Sequence, residues 1–434
     1  MPSVASGRVI DLSVNDPLKA GRAAAVVELF RSMPERYLGA TPGFRATYQF
    51  RLGDLGRTWE VRLTESEVRV REGAAGTPDA TIGTDSQTWL DLVAGRTSGL
   101  DGFFARRLWA RGDLDLALAF EGLFRRPDGS APALRVHRVG PARRDISALT
   151  IGNGPDVVLL HGLGSSKVSF FDTAAALSRD YRVHALDLPG FGSSAKPAAA
   201  RYDARYFAGA VAAYLDAEGV GSAHVVGNSM GGRVAIELAL TRPERVRTVG
   251  LLCPAVAFVR RQLHPFVRLA RPELAALPHR LRRDVVERYF RRMFADPDAL
   301  DPQLAEIAVD DFQRIYRSPR ARHAFLAAGR NLYLEPPFGR RGFYPRLAGL
   351  QAPALFVWGS RDPLIPAALS RHVAEWLPGA DQIILDGCGH VPQVERPTQT
   401  IGLLRRLFTE VDALHGSAPE ARRFRRDARR ATAA

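Results

Sequence analysis

The first part of the chain contains short runs in which apolar and polar residues alternate. Such runs occupy residues 47–52, 59–63 and 68–71. Alternation with a period of two predicts β-strands that have one buried face and one solvated face. The stretch 53–56, Gly-Asp-Leu-Gly, separates the first two runs. We therefore expect an antiparallel meander here.

Helical patterns surround this meander. Residues 22–33 carry clustered apolar positions with helical spacing, and residues 86–94 form a second helix that Gly95 closes. A fourth, shorter strand is predicted at 79–83, and a further helix-like run around 103–108. The segment up to about residue 127 is therefore predicted to be a small α+β domain.

Farther along, the pattern changes to continuous apolar runs, each followed by small or polar residues. These runs are 157–160, 223–226, 353–358 and 381–385, and helical patterns alternate with them. Continuous apolar runs are typical of strands that are buried on both faces of a parallel sheet. Because the loops after parallel strands gather at one edge of the sheet, the polar residues that follow these runs are expected to meet there.

The run 223–226 leads into Gly227-Asn228-Ser229-Met230-Gly231, and a helical pattern follows. A strand, a sharp turn with a serine at its tip and a helix are together typical of a nucleophile elbow. The glycines two residues on either side of Ser229 have a steric reason, because side chains there would collide in the strained turn. The G-x-S-x-G pattern is weak alone, so its context has to support it.

Two polar residues that follow later runs supply that context. Asp362 comes after 353–358 and His390 after 381–385, which gives the chain order Ser, Asp, His. Ser229 would be the nucleophile, His390 the base that takes its proton, and Asp362 the residue that orients the imidazole. Singly, Asp362 also suits a turn before proline, and His390 a structural loop position. Their joint occurrence after the right strands favours catalysis.

The turn after 157–160 reads His161-Gly162-Leu163-Gly164. The N–H groups of Leu163 and Met230 are the expected donors of an oxyanion hole. His161 is interpreted as a structural residue of this turn, and Asp187 as a residue that ends a strand and pins the next turn. Serine hydrolysis of this kind needs no metal or diffusible cofactor, so we expect neither.

Residues 134–415 resemble the α/β-hydrolase-fold serine hydrolases. The resemblance is carried by His161-Gly162-Leu163-Gly164, by the stretch 187–193 (Asp-Leu-Pro-Gly-Phe-Gly-Ser), by the Ser229 elbow, and by Asp362 and Gly389-His390. It implies a mostly parallel sheet with helices on both faces, and it gives the three triad residues the roles stated above. Relatives that dehalogenate or open epoxides carry aspartate at the elbow, so the serine argues against both chemistries.

Residues 45–124 resemble the sterol carrier protein type 2 family, a small α+β lipid-binding fold, through the stretches 78–82, 89–96 and 110–118. The resemblance implies an apolar tunnel for acyl or sterol groups. The alternative is that the abundant aromatic residues fill an ordinary core. These residues are Trp59, Trp89, Phe103, Phe104, Trp109, Phe120 and Phe124.

We predict a sterol-carrier-like lipid-binding domain at 1–128, an α/β-hydrolase domain at 129–416 and a basic disordered tail at 417–434. The hydrolase domain also contains a long insertion before the run 353–358. A crossover needs only about a dozen residues, whereas about 100 residues precede this run after the strand that ends at Cys253.

The surplus, at about 257–346, is predicted to be a helical cap over the strand ends. One helix is expected at 282–294, where apolar residues fall on one stripe, and another around Phe312. An apolar cap would wall the site with hydrophobic groups. The alternative is simple packing of helices on the sheet.

The net charge of +14 does not by itself indicate a nucleic-acid partner. Of the 60 basic residues only Lys19, Lys167 and Lys196 are lysines, a ratio that favours coding bias over selection for phosphate binding. Residues 257–346 hold 18 arginines against 10 acidic residues, and the tail is basic as well. We expect no nucleic acid as a partner, and at most a weak attraction to anionic membrane surfaces or to acyl-carrier partners.

Two cysteines, Cys253 and Cys388, cannot form a disulfide framework. Cys388 is interpreted as a small residue in a tight loop, without a redox role. The first residues lack the apolar core of a signal peptide, and no apolar run reaches the roughly 18 residues that span a bilayer. These features predict a cytoplasmic protein, and they leave its oligomeric state open.

An apolar cap over a serine triad, beside a lipid-carrier domain, predicts hydrolysis of a hydrophobic ester, thioester or lactone through an acyl-enzyme. The elbow also resembles that of the meta-cleavage C–C hydrolases. Those relatives usually place tryptophan after the histidine, whereas Val391 stands here, so C–C cleavage is the second hypothesis. A catalytically silent lipid-binding or trafficking protein is the third, and the presence of all three triad residues argues against it.

Overall fold

The computed structural model describes residues 17–141, 143–258, 272–276, 282–298, 300 and 302–416. The predicted basic tail at 417–434 and part of the predicted cap lie outside these residues. The chain divides into two compact units, one up to Arg135 and one from Val136 onward. The domain bounds given above stay a prediction at the level of individual residues.

The first unit is built on a five-stranded sheet with the order β3-β2-β1-β4-β5. Its strands are β1 (Arg45–Leu52), β2 (Arg57–Thr64), β3 (Val68–Glu72), β4 (Ala80–Thr84) and β5 (Leu108–Gly112). Its helices are α1 (Pro17–Arg31), α2 (Met33–Arg36), α3 (Ser86–Val93), α4 (Gly99–Phe104) and α5 (Leu114–Gly122).

The predicted meander is confirmed, because β2 pairs antiparallel with both β1 and β3. Strand β4 pairs parallel with the other edge of β1. The helix predicted around 103–108 is wrong in its second half. Arg106 has a left-handed backbone with φ 56°, and Leu108 pairs with Thr84 as the first residue of β5. A run of apolar residues too short to show a period cannot distinguish the end of a helix from the start of a strand.

The aromatic residues of the first unit fall into two groups. Trp59, Trp89, Phe120 and Phe124 are buried in one cluster with Phe30. The ring of Phe30 is nearly parallel to both indoles, with centroid distances of 4.5 Å to Trp59 and 4.9 Å to Trp89. The other three aromatic residues named in the sequence analysis are half-buried: Phe103, Phe104 and Trp109. Four of the seven therefore contribute to a packed core.

The second unit contains an eight-stranded sheet with the order β13-β12-β11-β10-β8-β9-β7-β6. Its strands are β6 (Leu134–Val139), β7 (Ile146–Ile151), β8 (Asp156–Leu160), β9 (Arg182–Leu186), β10 (Ala223–Asn228), β11 (Val246–Leu252), β12 (Ala354–Gly359) and β13 (Asp381–Leu385). From β9 to β13 all neighbouring strands are parallel. The predicted α/β architecture is confirmed.

Helices lie between these strands and after the last one. They are α6 (Phe171–Leu177), α7 (Ala204–Ala217), α8 (Met230–Thr241) and, without further labels, Arg283–Arg291, Pro302–Tyr316, Pro319–Leu334, Phe343–Leu347, Ser370–Trp376, Pro392–Glu395 and Pro397–Gly416. Short 3₁₀ turns occur at Lys167–Phe170, Pro243–Arg245, Pro272–Ala276 and Ala367–Leu369. None of the described helices is long and apolar enough to cross a membrane.

One strand differs from its prediction. The run 381–385 was expected to be buried, but β13 forms the edge of the sheet, and Ile383 and Ile384 are 37% and 54% exposed. Apolar composition did not reveal this, because the position of a strand in the sheet depends on which neighbours pair with it. The apolar stripe of the helix Arg283–Arg291 is likewise only partly buried, since Val285 and Tyr289 are about half exposed.

Candidate active site

Ser229 lies at the junction of β10 and α8 with φ 52° and ψ −114°. A non-glycine residue with positive φ is uncommon and strained. The steric reason predicted for the flanking glycines is confirmed. A Cβ atom on Gly227 would overlap with the backbone of Gly231, and one on Gly231 would overlap with the carbonyl of Leu160. The elbow therefore requires glycine at both positions.

Asp362 and His390 lie beyond the ends of β12 and β13, and both are buried. His390 Nδ1 lies 2.7 Å from Asp362 Oδ2. The other carboxylate oxygen accepts the backbone N–H groups of Leu364 at 2.8 Å and Ile365 at 2.9 Å. An ionised carboxylate only accepts hydrogen bonds, so the proton of this pair belongs on Nδ1 and Nε2 is left as the basic nitrogen.

The structure brings the elbow and the histidine loop together through Asn228. Its Nδ2 atom donates to the carbonyl oxygens of Leu252 and His390, both at 3.0 Å. Among the described contacts, the Ser229 hydroxyl is not hydrogen-bonded to His390. Such bonds are often long in a free enzyme and tighten only when substrate binds.

The turn predicted to supply the oxyanion hole passes close to Ser229. A Cβ atom on Gly162 would lie 3.3 Å from Ser229 Cβ. In the described part of the chain, the N–H groups of Leu163 and Met230 have no acceptor. Unpaired amides beside a serine fit the requirement of an oxyanion hole, which needs donors for an oxygen that is present only during the reaction.

His161 holds this turn in place. It is fully buried, its Nε2 accepts the Leu188 N–H at 3.0 Å, and its Nδ1 lies 2.8 Å from the Gly162 carbonyl. Burial lowers its pKa. Because Nε2 accepts an N–H, the ring proton lies on Nδ1, which donates to the Gly162 carbonyl. These contacts confirm the interpretation of His161 as a structural residue.

Asp187 is buried just beyond the end of β9, and its carboxylate accepts three hydrogen bonds. The backbone N–H and the Nζ of Lys167 both lie 2.7 Å away, and the Ser193 N–H lies 2.9 Å away. Lys167 is also buried, so each charge compensates the other. The prediction that Asp187 pins the following turn is confirmed.

Aromatic groups from the predicted cap lie against the oxyanion turn. A Cβ atom on Gly164 would lie 2.9 Å from the Phe325 ring and 3.4 Å from the Phe312 ring. The ring of Tyr316 packs on both, with centroid distances of 4.3 Å to Phe312 and 5.5 Å to Phe325. Three aromatic rings of the predicted cap therefore lie next to the oxyanion turn.

Cys253 is a neighbour that sequence reasoning did not connect with the site. It is buried, it has φ 43°, and its sulfur lies within 4.8 Å of ligand atoms of Asp362 and His390. Within the described residues these three form the one cluster of candidate metal ligands. Asp362 and His390 are already hydrogen-bonded to each other, and burial raises the pKa of the thiol well above its usual range. The chemistry of these three residues therefore fits a hydrogen-bonded group of side chains better than a metal site.

Other contributors were also missed. Asn228 belongs to the elbow, but its role as a link to His390 depends on which strands are neighbours. Glu395 contacts the histidine loop from five residues downstream. Its position five residues after His390 could have indicated this contact, since a carboxylate close to a loop in the sequence can accept hydrogen bonds from the N–H groups of that loop.

Two family models match the chain. One, described as alpha/beta hydrolase fold, covers residues 155–397, and the other, described as the SCP-2 sterol transfer family, covers residues 28–125. The chain belongs to the α/β hydrolase family, and it carries an SCP2 domain toward its N-terminus. Both resemblances inferred from the sequence are confirmed.

Individual relatives agree with this assignment. A pimeloyl-[acyl-carrier protein] methyl ester esterase of Aeromonas hydrophila subsp. hydrophila is 31% identical over 266 residues, which cover 60% of this chain and 97% of that protein. A 2-hydroxymuconate semialdehyde hydrolase of Pseudomonas putida is 28% identical over 288 residues, 61% of this chain and 90% of that protein.

A solved structure is also similar. The crystal structure of a membrane phospholipase A, a bacterial virulence factor, superimposes with a TM-score of 0.56 at 26% identity and covers 75% of this chain and 95% of that one. These three relatives are hydrolases, and the protein is an α/β-fold hydrolase.

Proposed function

We propose that the protein is a serine hydrolase that cleaves a hydrophobic ester, thioester or lactone. The observation that carries the proposal is the combination of a strained serine elbow with a buried, hydrogen-bonded Asp362–His390 pair beside it. Strain at the elbow presents the hydroxyl, and Asp362 leaves Nε2 of His390 ready to accept a proton.

In the proposed mechanism, His390 Nε2 takes the proton of Ser229 as the hydroxyl oxygen attacks the substrate carbonyl. The N–H groups of Leu163 and Met230 stabilise the oxyanion of the tetrahedral intermediate. His390 then returns the proton to the leaving alkoxide or thiolate, which departs as the acyl-enzyme forms. Water, activated by the same imidazole, attacks the acyl-enzyme and releases the acid.

The substrate class follows from the wall next to this site. Phe312, Tyr316 and Phe325 offer no charged group to a ligand, so an acyl chain or a ring is favoured over a charged group. The esterase from Aeromonas supports ester chemistry. The second candidate, C–C bond hydrolysis, is favoured by the 2-hydroxymuconate semialdehyde hydrolase relative, whereas Val391 after the histidine argues against it.

The SCP2 domain supports a lipid or another hydrophobic small molecule as the ligand of the first unit. We propose that this unit binds such a ligand. The test is a titration of the full chain with a fluorescent fatty acid after Ser229 has been blocked with a phosphonate. Saturable binding is expected, and its absence would remove the carrier role.

The decisive test of the proposed function is labelling with a fluorophosphonate probe. Wild type should be labelled, Ser229→Ala should not, and Ser222→Ala, in the loop at the opposite end of β10, should be labelled like wild type. Hydrolysis of p-nitrophenyl esters of increasing chain length, measured beside a ring-cleavage dienoate, then separates ester from C–C chemistry. A folded wild type that neither reacts with the probe nor hydrolyses any of these substrates would favour a silent lipid-binding protein.

A further inference from the structure

The backbone of the histidine loop is hydrogen-bonded to the segment that follows the helix Arg283–Arg291. The His390 N–H donates to the carbonyl oxygen of Met293 at 2.7 Å. A Cβ atom on Gly389 would overlap with this same carbonyl and would lie 2.8 Å from the Ala295 nitrogen. The two backbone segments are therefore in direct contact, at a point where no side chain fits between them.

Glu395 joins the same two segments a second time. Its Oε2 accepts the Gly389 N–H at 2.6 Å. Its Oε1 accepts the N–H groups of Ala295 at 2.9 Å and Asp296 at 3.2 Å. One carboxylate thus satisfies three backbone donors from parts of the chain that lie about 100 residues apart. Charge-assisted bonds of this kind are stronger than neutral ones.

The position of these bonds matters because Gly389 directly precedes His390. Asp362 holds the imidazole of His390 at its Nδ1 atom. Among the described contacts, the backbone around His390 is held by Asn228 at the His390 carbonyl, by Met293 at the His390 N–H, and by Cys253 and Glu395 at the carbonyl and the N–H of Gly389. A shift of the Gly389 peptide moves the Cα atom of His390, and a misplacement of about 1 Å can cost on the order of 100-fold in rate.

We propose that Glu395 is a positioning residue, which sets the place of His390 and couples it to the cap segment 293–296. This inference rests on the proposed function, because it takes His390 to be the catalytic base. Its consequence is that a displacement of the cap segment displaces the base, so the catalytic group is in place only when this part of the cap is docked.

The test compares Glu395→Ala and Glu395→Gln with wild type. Glutamine keeps the shape of glutamate, but it has one acceptor oxygen where the carboxylate has two. Its NH₂ group would face the backbone N–H of one of the two segments, so only the other segment stays bonded. We expect kcat for a short p-nitrophenyl ester to fall at least tenfold in both variants, with KM changed less than threefold, and phosphonate labelling of Ser229 to slow in parallel. Glu410→Gln, which removes an exposed carboxylate of the last helix, is the matched control and should leave all three values unchanged.

Hydrogen exchange supplies a readout that does not depend on activity. In folded Glu395→Ala, the amides of Gly389, His390, Ala295 and Asp296 should lose protection together, while the amides of β10 keep theirs. Loss of protection at both segments together with the fall in kcat supports the proposal. Wild-type kcat per labelled site, or unchanged protection at either segment, overturns it.

The two proposals fail in different ways. If wild type is not labelled at Ser229, the proposed function fails, and the exchange pattern still decides whether Glu395 couples the segments. If wild type is labelled and hydrolyses esters but the Glu395 variants do so equally well, only the positioning role fails.

Discussion

Asp362 presents one oxygen to the Nδ1 atom of His390 at 2.7 Å and the other to the backbone N–H groups of Leu364 and Ile365. The carboxylate therefore cannot rotate away from the ring without giving up the two amides. This relationship decides both the tautomer and the orientation of the imidazole.

The first prediction tests this relationship. Asp362→Asn should lower kcat about 10⁴-fold, because an amide that donates to Nδ1 stabilises the tautomer with its proton on Nε2, which cannot accept the serine proton. Asp386→Asn, beyond the end of β13, is the control and should retain activity. Steady-state ester hydrolysis and circular dichroism provide the measurements. A folded Asp362→Asn protein within tenfold of wild type would contradict the assignment of Asp362.

The second prediction concerns the elbow. Gly227→Ala and Gly231→Ala introduce a Cβ atom into the neighbouring backbone, so each should lower the free energy of unfolding by about 3 kcal/mol or more. Gly209 lies in α7 with no atom within 4 Å of a Cβ placed there, and Gly209→Ala should raise stability by about 0.5–1 kcal/mol. Urea unfolding would reveal the difference, and equal effects at all three positions would refute the steric argument.

The third prediction concerns the thiols. Burial raises the pKa of Cys253 well above its usual range and that of Cys388 to about 12. Near pH 8 both thiols are therefore protonated, and the thiolate is the reactive form. Iodoacetamide should therefore leave the native enzyme active and unmodified, whereas both cysteines should react in urea. Mass spectrometry would detect the adducts, and rapid inactivation of the native protein would show that a thiol is accessible.

The fourth prediction is a pH dependence of the first unit. Burial raises the pKa of Glu121 from 4.5 to about 7, so the folded state favours the protonated carboxyl. Stability should fall as the pH rises from about 4.5 to about 7, because the unfolded state then releases a proton that the folded state retains. Glu121→Gln removes this loss.

Thermal unfolding followed by tryptophan fluorescence measures the effect. Glu121→Gln should stabilise the protein more at pH 8 than at pH 5. The exposed Glu67→Gln variant, on the β2–β3 turn, is the control. A stabilisation by Glu121→Gln that is the same at both pH values would show that the carboxyl is not held protonated.

The fifth prediction tests the attraction to anionic membranes. The helix Arg283–Arg291 exposes Val285 and Tyr289 next to Arg288, a pattern that suits the interface of an anionic bilayer. Vesicles of phosphatidylglycerol should bind the full chain weakly and phosphatidylcholine vesicles should not, with binding lost in high salt. Tyr289→Ser combined with Arg288→Gln should weaken flotation, and equal binding to both vesicle types would rule out the electrostatic contribution.

Periodicity predicted most elements well because strands and helices obey local rules. The runs at 47–52, 223–226 and 353–358 all became strands, and the residues after the parallel strands met at one edge. The local rule failed at 103–108, where a helix gives way to β5, and at β13, where apolar residues lie at an exposed edge. At 103–108 pairing with β4 decided the outcome, and at β13 it was the position at the edge of the sheet.

The amino-acid sequence alone determined the class of the protein and its candidate catalytic residues. Ser229, Asp362 and His390 were recognisable because each follows a strand. The end of a strand can be predicted from the local pattern, in which an apolar run gives way to glycine and polar residues. Gly227 was predictable for the same reason, since its constraint comes from Gly231, four residues away. The constraint on Gly231 comes instead from the Leu160 carbonyl at the end of β8.

Only the tertiary structure revealed what surrounds these residues. The link from Asn228 to His390, the thiol of Cys253 beside Asp362 and the bridge made by Glu395 join segments that are 100 or more residues apart, or depend on such segments being in contact. No local pattern encodes these contacts, because they arise from the order of strands in the sheet and from the way the long insertion packs against the histidine loop.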